Sequence, residues 1–524
     1  MRRFLGTYFF LAAATAYGAP ECARCHPNEA ARFPATPMGR SIGPPETIAA
    51  GRVTHQASQS VLSAEYRQGR MFHVLAERGL TAEYEVAYQI GSGTKGRTYA
   101  VQVGRYLLES PLSWYAGSAW DVSPGFESLP LLDFDRPITA NCLFCHAGRV
   151  KFDDADGRRL GVAVDGGRVP AITCERCHGD GAAHARRPSS KNIVNPAALS
   201  GAARDSVCEQ CHLEGDTRIL NPGKSLGDYR PGELLEQTVV TYLFHQENAA
   251  KRAVSQVEEL AESQCARGSN GKLWCGSCHH PHEPAIRSAQ HASRITQVCN
   301  SCHAVLSKAV HPAGQHECIS CHMPARPANN IAHLAVTDHR IRRPKAAGSS
   351  GSNAGSNAAF HTVVAWREPP AEFRGRDLAL AQLQIASNEK LPAMIRASVK
   401  MLEALPETQQ NSDPDVLSSL EVAFLASSPP DRAVALSRWA VESMPNSATF
   451  ALNYGLALKR AGDLKPAEHE LLRAIELDPS LARSYAELAV LYDGEGRQPE
   501  SMAIVNRFLK WNPQTIQFRL ASRP

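Results

Sequence analysis

Units of the form Cys-x-x-Cys-His recur seven times in this 524-residue chain: Cys22–His26, Cys142–His146, Cys174–His178, Cys208–His212, Cys275–His279, Cys299–His303 and Cys318–His322. Two thiols at that spacing can form thioethers with the vinyl groups of one haem, and the histidine that follows then lies against the iron as an axial ligand. Zinc sites and disulfides also use paired cysteines, but neither requires a trailing histidine. Fourteen of the 15 cysteines fall into these units, a concentration that chance does not produce. The pattern predicts seven covalently attached c-type haems. Cys22, Cys25, Cys142, Cys145, Cys174, Cys177, Cys208, Cys211, Cys275, Cys278, Cys299, Cys302, Cys318 and Cys321 would attach them, with His26, His146, His178, His212, His279, His303 and His322 as proximal ligands.

A haem iron with two protein ligands carries electrons, whereas one with a single ligand is open to substrate. Twelve further histidines lie outside the C-terminal part of the chain, enough to supply second ligands. The expected distal candidates are His55, His184, His282, His339 and His333. His184 ends the phrase CHGDGAAH, whose small residues let the chain double back. His282 is too near His279 to reach the opposite face of the same iron, so it would serve a neighbouring haem. His73, His245, His280, His291, His311, His316 and His361 are weaker candidates. Met38 would be a ligand of another type, and is read first as a buried loop methionine. Cys265 stands outside the seven units and is read as a buried, inert thiol.

These residues need elements to position them. Residues 1–18 carry Arg2 and Arg3, an apolar run from Phe4 to Thr15, and Ala16-Tyr17-Gly18; this is the pattern of a cleaved export signal, so a periplasmic or otherwise exported chain is expected. An uncleaved N-terminal anchor is the alternative, and no other segment is apolar enough to span a membrane. The expected haem domain covers 19–345, with a β-rich insert at about 50–135. Strands are expected at 61–66, 71–75, 84–90 and 98–108. Ala346–Ala359 is rich in Gly, Ser and Asn, so 346–362 is expected to be a flexible linker. Beyond it, Pro445, Pro479 and Pro513 stand 34 residues apart, with Gly455, Ala467, Ala474, Tyr485, Leu488, Ala489 and Tyr492 at the small and aromatic positions of tetratricopeptide (TPR) repeats. Residues 363–524 are therefore expected to be a TPR-like solenoid. The fold class expected is mixed: a loop- and helix-rich multihaem cytochrome module with a β-rich insert, then an all-α TPR solenoid. A net charge of +4 with 21% charged residues does not point to nucleic acid or an acidic partner.

The phrases CERCHGDGAAH, SQCARGSNGKLWCGSCHHPH, CISCHMP and TDHRIRRP, with IGSGTKGRTY and PLSWY, resemble the multihaem c-type cytochromes of the tetrahaem cytochrome and hydroxylamine oxidoreductase superfamily. The chain is similar in particular to bacterial proteins that join such a module to C-terminal TPR repeats. The resemblance implies distal roles for His184, His282 and His339, and places Cys265 in a recurring phrase of the module. Two departures stand out: seven units instead of four or eight, and no Cys-x-x-Cys-Lys, so a lysine-ligated active-site haem of the nitrite reductase kind has no counterpart. Electron transfer is the expected function, with a redox partner protein and a protein or peptide docked on the TPR groove. The alternatives are an oxidoreductase acting on a small nitrogen or sulfur compound at one five-coordinate haem, and a haem-bearing scaffold or filament subunit.

Overall fold

The computed structural model describes residues 20–117, 119–148, 169–245, 252–284, 289–303, 318–342, 362–427 and 429–522. The expected export signal, 1–18, and most of the expected linker, 346–362, lie outside them. Its first large element is an antiparallel sheet of nine strands: β1 (Ile42–Gly43), β2 (Gly51–Thr54), β3 (Val61–Arg67), β4 (Arg70–Glu77), β5 (Leu80–Ile90), β6 (Gly96–Val103), β7 (Tyr106–Glu109), β8 (Leu112–Tyr115) and β9 (Ala119–Val122). The order is β2-β3-β4-β5-β6-β8-β9, with β1 on β5 and β7 on β6. Strict alternation drives it. In β4, Met71, His73, Leu75 and Glu77 point inward while their neighbours stay partly exposed. Gln68-Gly69 and Arg78-Gly79 turn the two hairpins with positive φ at both positions (51° and 77°, 48° and 73°), the loop whose twist matches the flanking strands. Trp120 of β9 donates its indole N–H to Ala49 O at 2.8 Å, just before β2. A Cβ at Gly51 would lie 1.9 Å from that ring, so the sheet nearly closes into a barrel. The single extended stretch expected at 98–108 is two strands, because Gly104 (φ 59°) turns the chain between β6 and β7.

The cysteine units follow on short helices joined by loop. β10 (Thr217–Leu220) and β11 (Val239–His245) form a small sheet, while β12 (Ala325–Pro327) and β13 (Ala335–Thr337) pair beyond the last unit. The C-terminal region is helical hairpins: Arg374–Asn388 with Pro392–Glu403, Pro414–Ser427 with Pro430–Ser443, Ala448–Ala461 with Leu464–Leu477, and Ala482–Gly494 with Gln498–Trp511. Pro445, Pro479 and Pro513 follow the ends of second helices, where proline cannot continue a helix. A Cβ at Gly455 would meet Leu471 Cγ at 2.8 Å, which is why a glycine sits where paired helices touch. This region is TPR-like, as the 34-residue period predicts.

The repeats are not a tethered appendage. β14 (Thr362–Ala365) pairs antiparallel with β11, from Tyr242↔Ala365 to His245↔Thr362. Ile219, Val240, Tyr242 and Phe244 then share one core with Val363, Leu380, Leu383, Leu420 and Phe424. At the far end, the Ile516–Ala521 helix inserts Ile516 into the core of the nine-stranded sheet. There Thr515 Oγ1 donates to Asp133 Oδ2 at 2.6 Å and Tyr84 donates to Asn512 Oδ1 at 2.6 Å. The boundary expected at 363 is therefore a composition change without a break in packing. The β-branched run Thr362-Val363-Val364 covers an otherwise open sheet edge.

Candidate functional site

Each cysteine unit is a single helical turn. His26, His178, His279 and His303 donate their backbone N–H to the carbonyl of the first cysteine of the unit, each at 2.9 Å. The other three units lie within the helices Ala140–His146, Gly201–His212 and Cys318–His322. Positions i, i+3 and i+4 share one helix face, so two thiols and an imidazole emerge together from every unit.

Five units converge on one cavity of about 2740 Å³, lined by Cys22, Cys25 and His26, by Cys142, Cys145 and His146, by Cys174, Cys177 and His178, by Cys208, Cys211 and His212, and by Cys275 and His279. That is several times the roughly 300–1,000 Å³ of a single-ligand pocket. Thiols of different units come near one another across it: Cys22 and Cys174, Cys145 and Cys211, and Cys208 and Cys275. Cys299 and Cys318, of the sixth and seventh units, are likewise close. Burial pushes the Cys174 and Cys177 thiols up to about 11. All fifteen cysteines are free of disulfides.

Histidines remote in sequence face three of the proximal ones. The ring centroids of His26 and His184 are 6.4 Å apart with planes inclined by 21°. His178 and His282 are at 5.9 Å and 12°, and His279 and His339 at 6.2 Å and 29°. Bonds of about 2.0 Å from each imidazole to a shared metal put two opposed ring centroids about 6.3 Å apart, so all three gaps fit an iron. The ring orientation is held from behind. His178 Nδ1 donates to Val194 O at 2.7 Å, His339 Nδ1 to Thr337 O at 2.9 Å, and His184 Nδ1 to Ser189 O and Asn192 Oδ1, both at 3.1 Å. An Nδ1–H given to a carbonyl leaves the lone pair on Nε2, the arrangement usual for a metal-bound histidine. His322 Nδ1 donates likewise to Arg342 O at 2.8 Å. Burial lowers the pKa of His146, His212, His282 and His339, favouring the neutral, ligating form. The donor set therefore fits haem.

Two expected distal ligands sit elsewhere. His55 is buried beside the nine-stranded sheet, with Nδ1 on Ser58 Oγ at 2.7 Å and Nε2 on Glu127 O at 2.9 Å, so both ring nitrogens are taken. His333 Nε2 bonds Asp121 Oδ2 at 2.5 Å and its ring packs against Tyr115. In the structure both rings are instead engaged by groups of the sheet module, His55 through both ring nitrogens and His333 through Asp121. His73 is also a core residue, buried against Tyr99 and Trp120 and held near a pKa of about 3 by desolvation. His280 and Met38 line the cavity. Cys265 is half-buried beside Cys299 on the Gln264–Gly268 helix. His311, His316 and His361 lie outside the described residues, as do the side chains of His245 and His291.

Sequence reasoning missed a group that holds one of the facing histidines. Glu259, almost fully buried, accepts the backbone N–H of His339 at 3.0 Å and is fixed by Arg326. Eighty residues separate Glu259 from His339, so no local pattern announces the pair. Among the described residues no cluster of three or more His, Cys, Asp or Glu is arranged to hold a metal ion, and no helix is long and apolar enough to cross a membrane.

No family model matches the chain, and no curated protein matches it. Solved structures do. The crystal structure of MamA is 18% identical over 26% of this chain and 80% of that one, with a TM-score of 0.24. TTC0263, a thermophilic TPR protein of Thermus thermophilus, is 20% identical over 27% and 78%, at 0.24. YrrB, described as a TPR protein with an unusual peptide-binding site, is 17% identical over 28% and 73%, at 0.23.

Proposed function

We propose that this chain is an exported multihaem c-type cytochrome that carries seven covalent haems and relays electrons between protein partners. The observation that carries the reading is the set of three imidazole pairs, His26/His184, His178/His282 and His279/His339, each joining a Cys-x-x-Cys-His histidine to a remote one at 5.9–6.4 Å. Haem, when bound, supplies one-electron redox chemistry; the chain's own residues do the rest. The thiols would tether the group, and the paired imidazoles would hold its iron at three sites. Val194, Ser189 and Thr337 hold the rings in one orientation through their carbonyl oxygens. Thiol contacts between units place neighbouring sites side by side, as a relay requires. Export is supported by the basic, apolar and small-residue order of the first eighteen residues.

The TPR-like repeats supply the docking surface in this proposal. Val422, Leu456 and Val490 recur at the same position of three successive first helices, 34 residues apart, and Val422 and Val490 are 59% and 58% exposed. That apolar row suits a protein or peptide partner.

The test is haem content by pyridine haemochrome together with EPR of the oxidised protein. Seven haems are expected, with low-spin signals from the paired sites. His184→Ala, His282→Ala and His339→Ala should each turn one haem high-spin. A protein purified after haem maturation with no covalent haem would end the proposal. A stoichiometric high-spin signal in the unmodified protein would move it to the oxidoreductase reading.

A further inference from the structure

The phrase TDHRIRRP begins at Thr337, and its residues up to Arg342 touch two of the candidate haem sites. His339 presents its ring to His279 of the fifth unit. Three residues on, Arg342 makes two hydrogen bonds with His322, the proximal histidine of the seventh unit. Its N–H goes to His322 O at 3.0 Å, and its carbonyl oxygen accepts from His322 Nδ1 at 2.8 Å. Asp338 also donates its backbone N–H to Pro324 O at 3.0 Å. The run from 338 to 342 therefore lies along the end of the seventh unit while it carries the histidine that faces the fifth. Between the two, Ile341 has a φ of 49°. That is a costly conformation for a β-branched residue, and it persists only where contacts on either side impose it.

One carboxylate anchors this segment. Glu259 is 1% exposed; its Oε2 accepts the His339 N–H at 3.0 Å, and its Oε1 accepts from Arg326 Nε at 2.5 Å. Arg326 also donates to Ser255 Oγ at 2.7 Å and to Arg252 O at 3.2 Å. It lies in β12 opposite Val336 of β13, the strand that leads into the segment, so the anchor is braced against the segment's own approach. Hydrogen bonds behind an imidazole set its orientation and its donor strength toward a metal, and losing one costs roughly tenfold or more. We propose that Glu259 is a positioning residue for two haems. Through the segment 337–342 it keeps His339 on the fifth-unit iron, and it keeps the Arg342 carbonyl on His322 Nδ1, behind the seventh-unit ligand. The inference rests on the haem reading above. It makes the axial ligation of the two sites one mechanical unit, released by the loss of a single carboxylate.

The test uses the full-length, haem-loaded protein, with EPR of the oxidised form and spectroelectrochemical titration. Glu259→Ala frees the segment. About one haem per chain should turn high-spin as His339 leaves its iron. A second component should move to higher potential as the bond behind His322 loosens, by about tenfold in its reduction equilibrium, or about 59 mV for one electron. His339→Ala is the control: it opens the same iron but keeps the backbone N–H on Glu259, so the high-spin signal should appear without the second shift. Glu259→Gln, which keeps an acceptor for that N–H, should retain the spin states of the parent protein. No new high-spin signal in Glu259→Ala overturns the anchor, and so does a Gln variant as open as the Ala variant. Identical potentials in Glu259→Ala and His339→Ala overturn the coupling of the two sites and leave the haem reading standing. A parent protein without covalent haem fails the underlying reading instead. If Glu259→Ala does not mature, a structure of the wild-type holoprotein decides. His339 on the fifth-unit iron, with its N–H on Glu259 and Arg342 O on His322 Nδ1, supports the assignment; any other ligand on that iron overturns it.

Discussion

The nine-stranded sheet and the repeats build large cores from apolar side chains, and several of the short helices that carry the cysteine units do not. Leu62, Leu75, Leu112, Phe126 and Phe134 are 0–1% exposed in the sheet, as are Leu471, Ala474, Ile475 and Leu488 in the repeats. At about 1.5–3 kcal/mol for each large apolar side chain, such clusters hold a fold unaided. The short helices Glu175–His178, Ala182–Arg186, Gln264–Gly268, Cys275–Cys278 and Cys318–His322 bury no residue at all. Glu175–His178, Ala182–Arg186 and Cys275–Cys278 border a cavity of about 2740 Å³. On the proposed reading, one part of the chain is folded by its own side chains and the other folds around the attached haems.

The sharpest way to break that comparison is to make the chain without haem attachment. Limited proteolysis read by mass spectrometry should then show rapid cleavage between 252 and 342, while the strands of the sheet and the repeat hairpins stay protected. Equal protection throughout would mean that the motif region folds by itself. Next in size is removal of 362–524. It strips β14 from β11, uncovers Tyr242 and Phe244, and takes Ile516 out of the sheet core. Aggregation or loss of a cooperative thermal transition is expected; a soluble, haem-loaded remainder with an unchanged Tm would reduce the repeats to an appendage.

Single substitutions sharpen the contrast. Ile516→Ala should cost about 2–5 kcal/mol in denaturant unfolding, as a fully buried aliphatic does, whereas Val490→Ser on the exposed row should stay within about 0.5 kcal/mol. Similar costs would mean that the exposed row is packed against something. A pH-dependent effect concerns Glu421, buried between repeat helices with Asn453 Nδ2 donating to it at 2.9 Å. Desolvation raises its pKa from 4.5 to about 7, so the folded chain holds a proton that the unfolded chain has lost. Its contribution is fully favourable below pH 4.5, declines as pH rises toward about 7 and is level above. Glu421→Gln should flatten that decline and gain on the order of 2 kcal/mol at pH 8, read from stability measured across pH. A slope identical to that of the parent chain would place the titrating group elsewhere.

Local patterns were legible. Alternation announced β3, β4 and much of β5, whose hairpins close at Gln68-Gly69 and Arg78-Gly79. The 34-residue proline period located the helical hairpins, because each hairpin is one repeating supersecondary unit. Of the histidines expected as distal ligands, His184, His282 and His339 face other imidazoles while His55 and His333 contact the sheet module, and a histidine's sequence neighbours do not say which surface it will meet. The attachment of the repeats at both ends was not legible, since β14 follows a Gly/Ser-rich stretch and Ile516 looks like any apolar residue of a terminal helix.

The sequence by itself determined the seven Cys-x-x-Cys-His turns, because the hydrogen bond from the histidine N–H back to the first cysteine carbonyl spans four residues and needs no tertiary help. It determined the strands and the repeat period for the same reason. Tertiary structure alone decided which imidazole faces which. His26 and His184 are 158 residues apart, and only the convergence of five units on one cavity brings them within 6.4 Å. It also decided that the repeats strap the molecule from β14 to Ile516, since long-range contacts depend on how whole modules pack, and no short window of sequence carries that information.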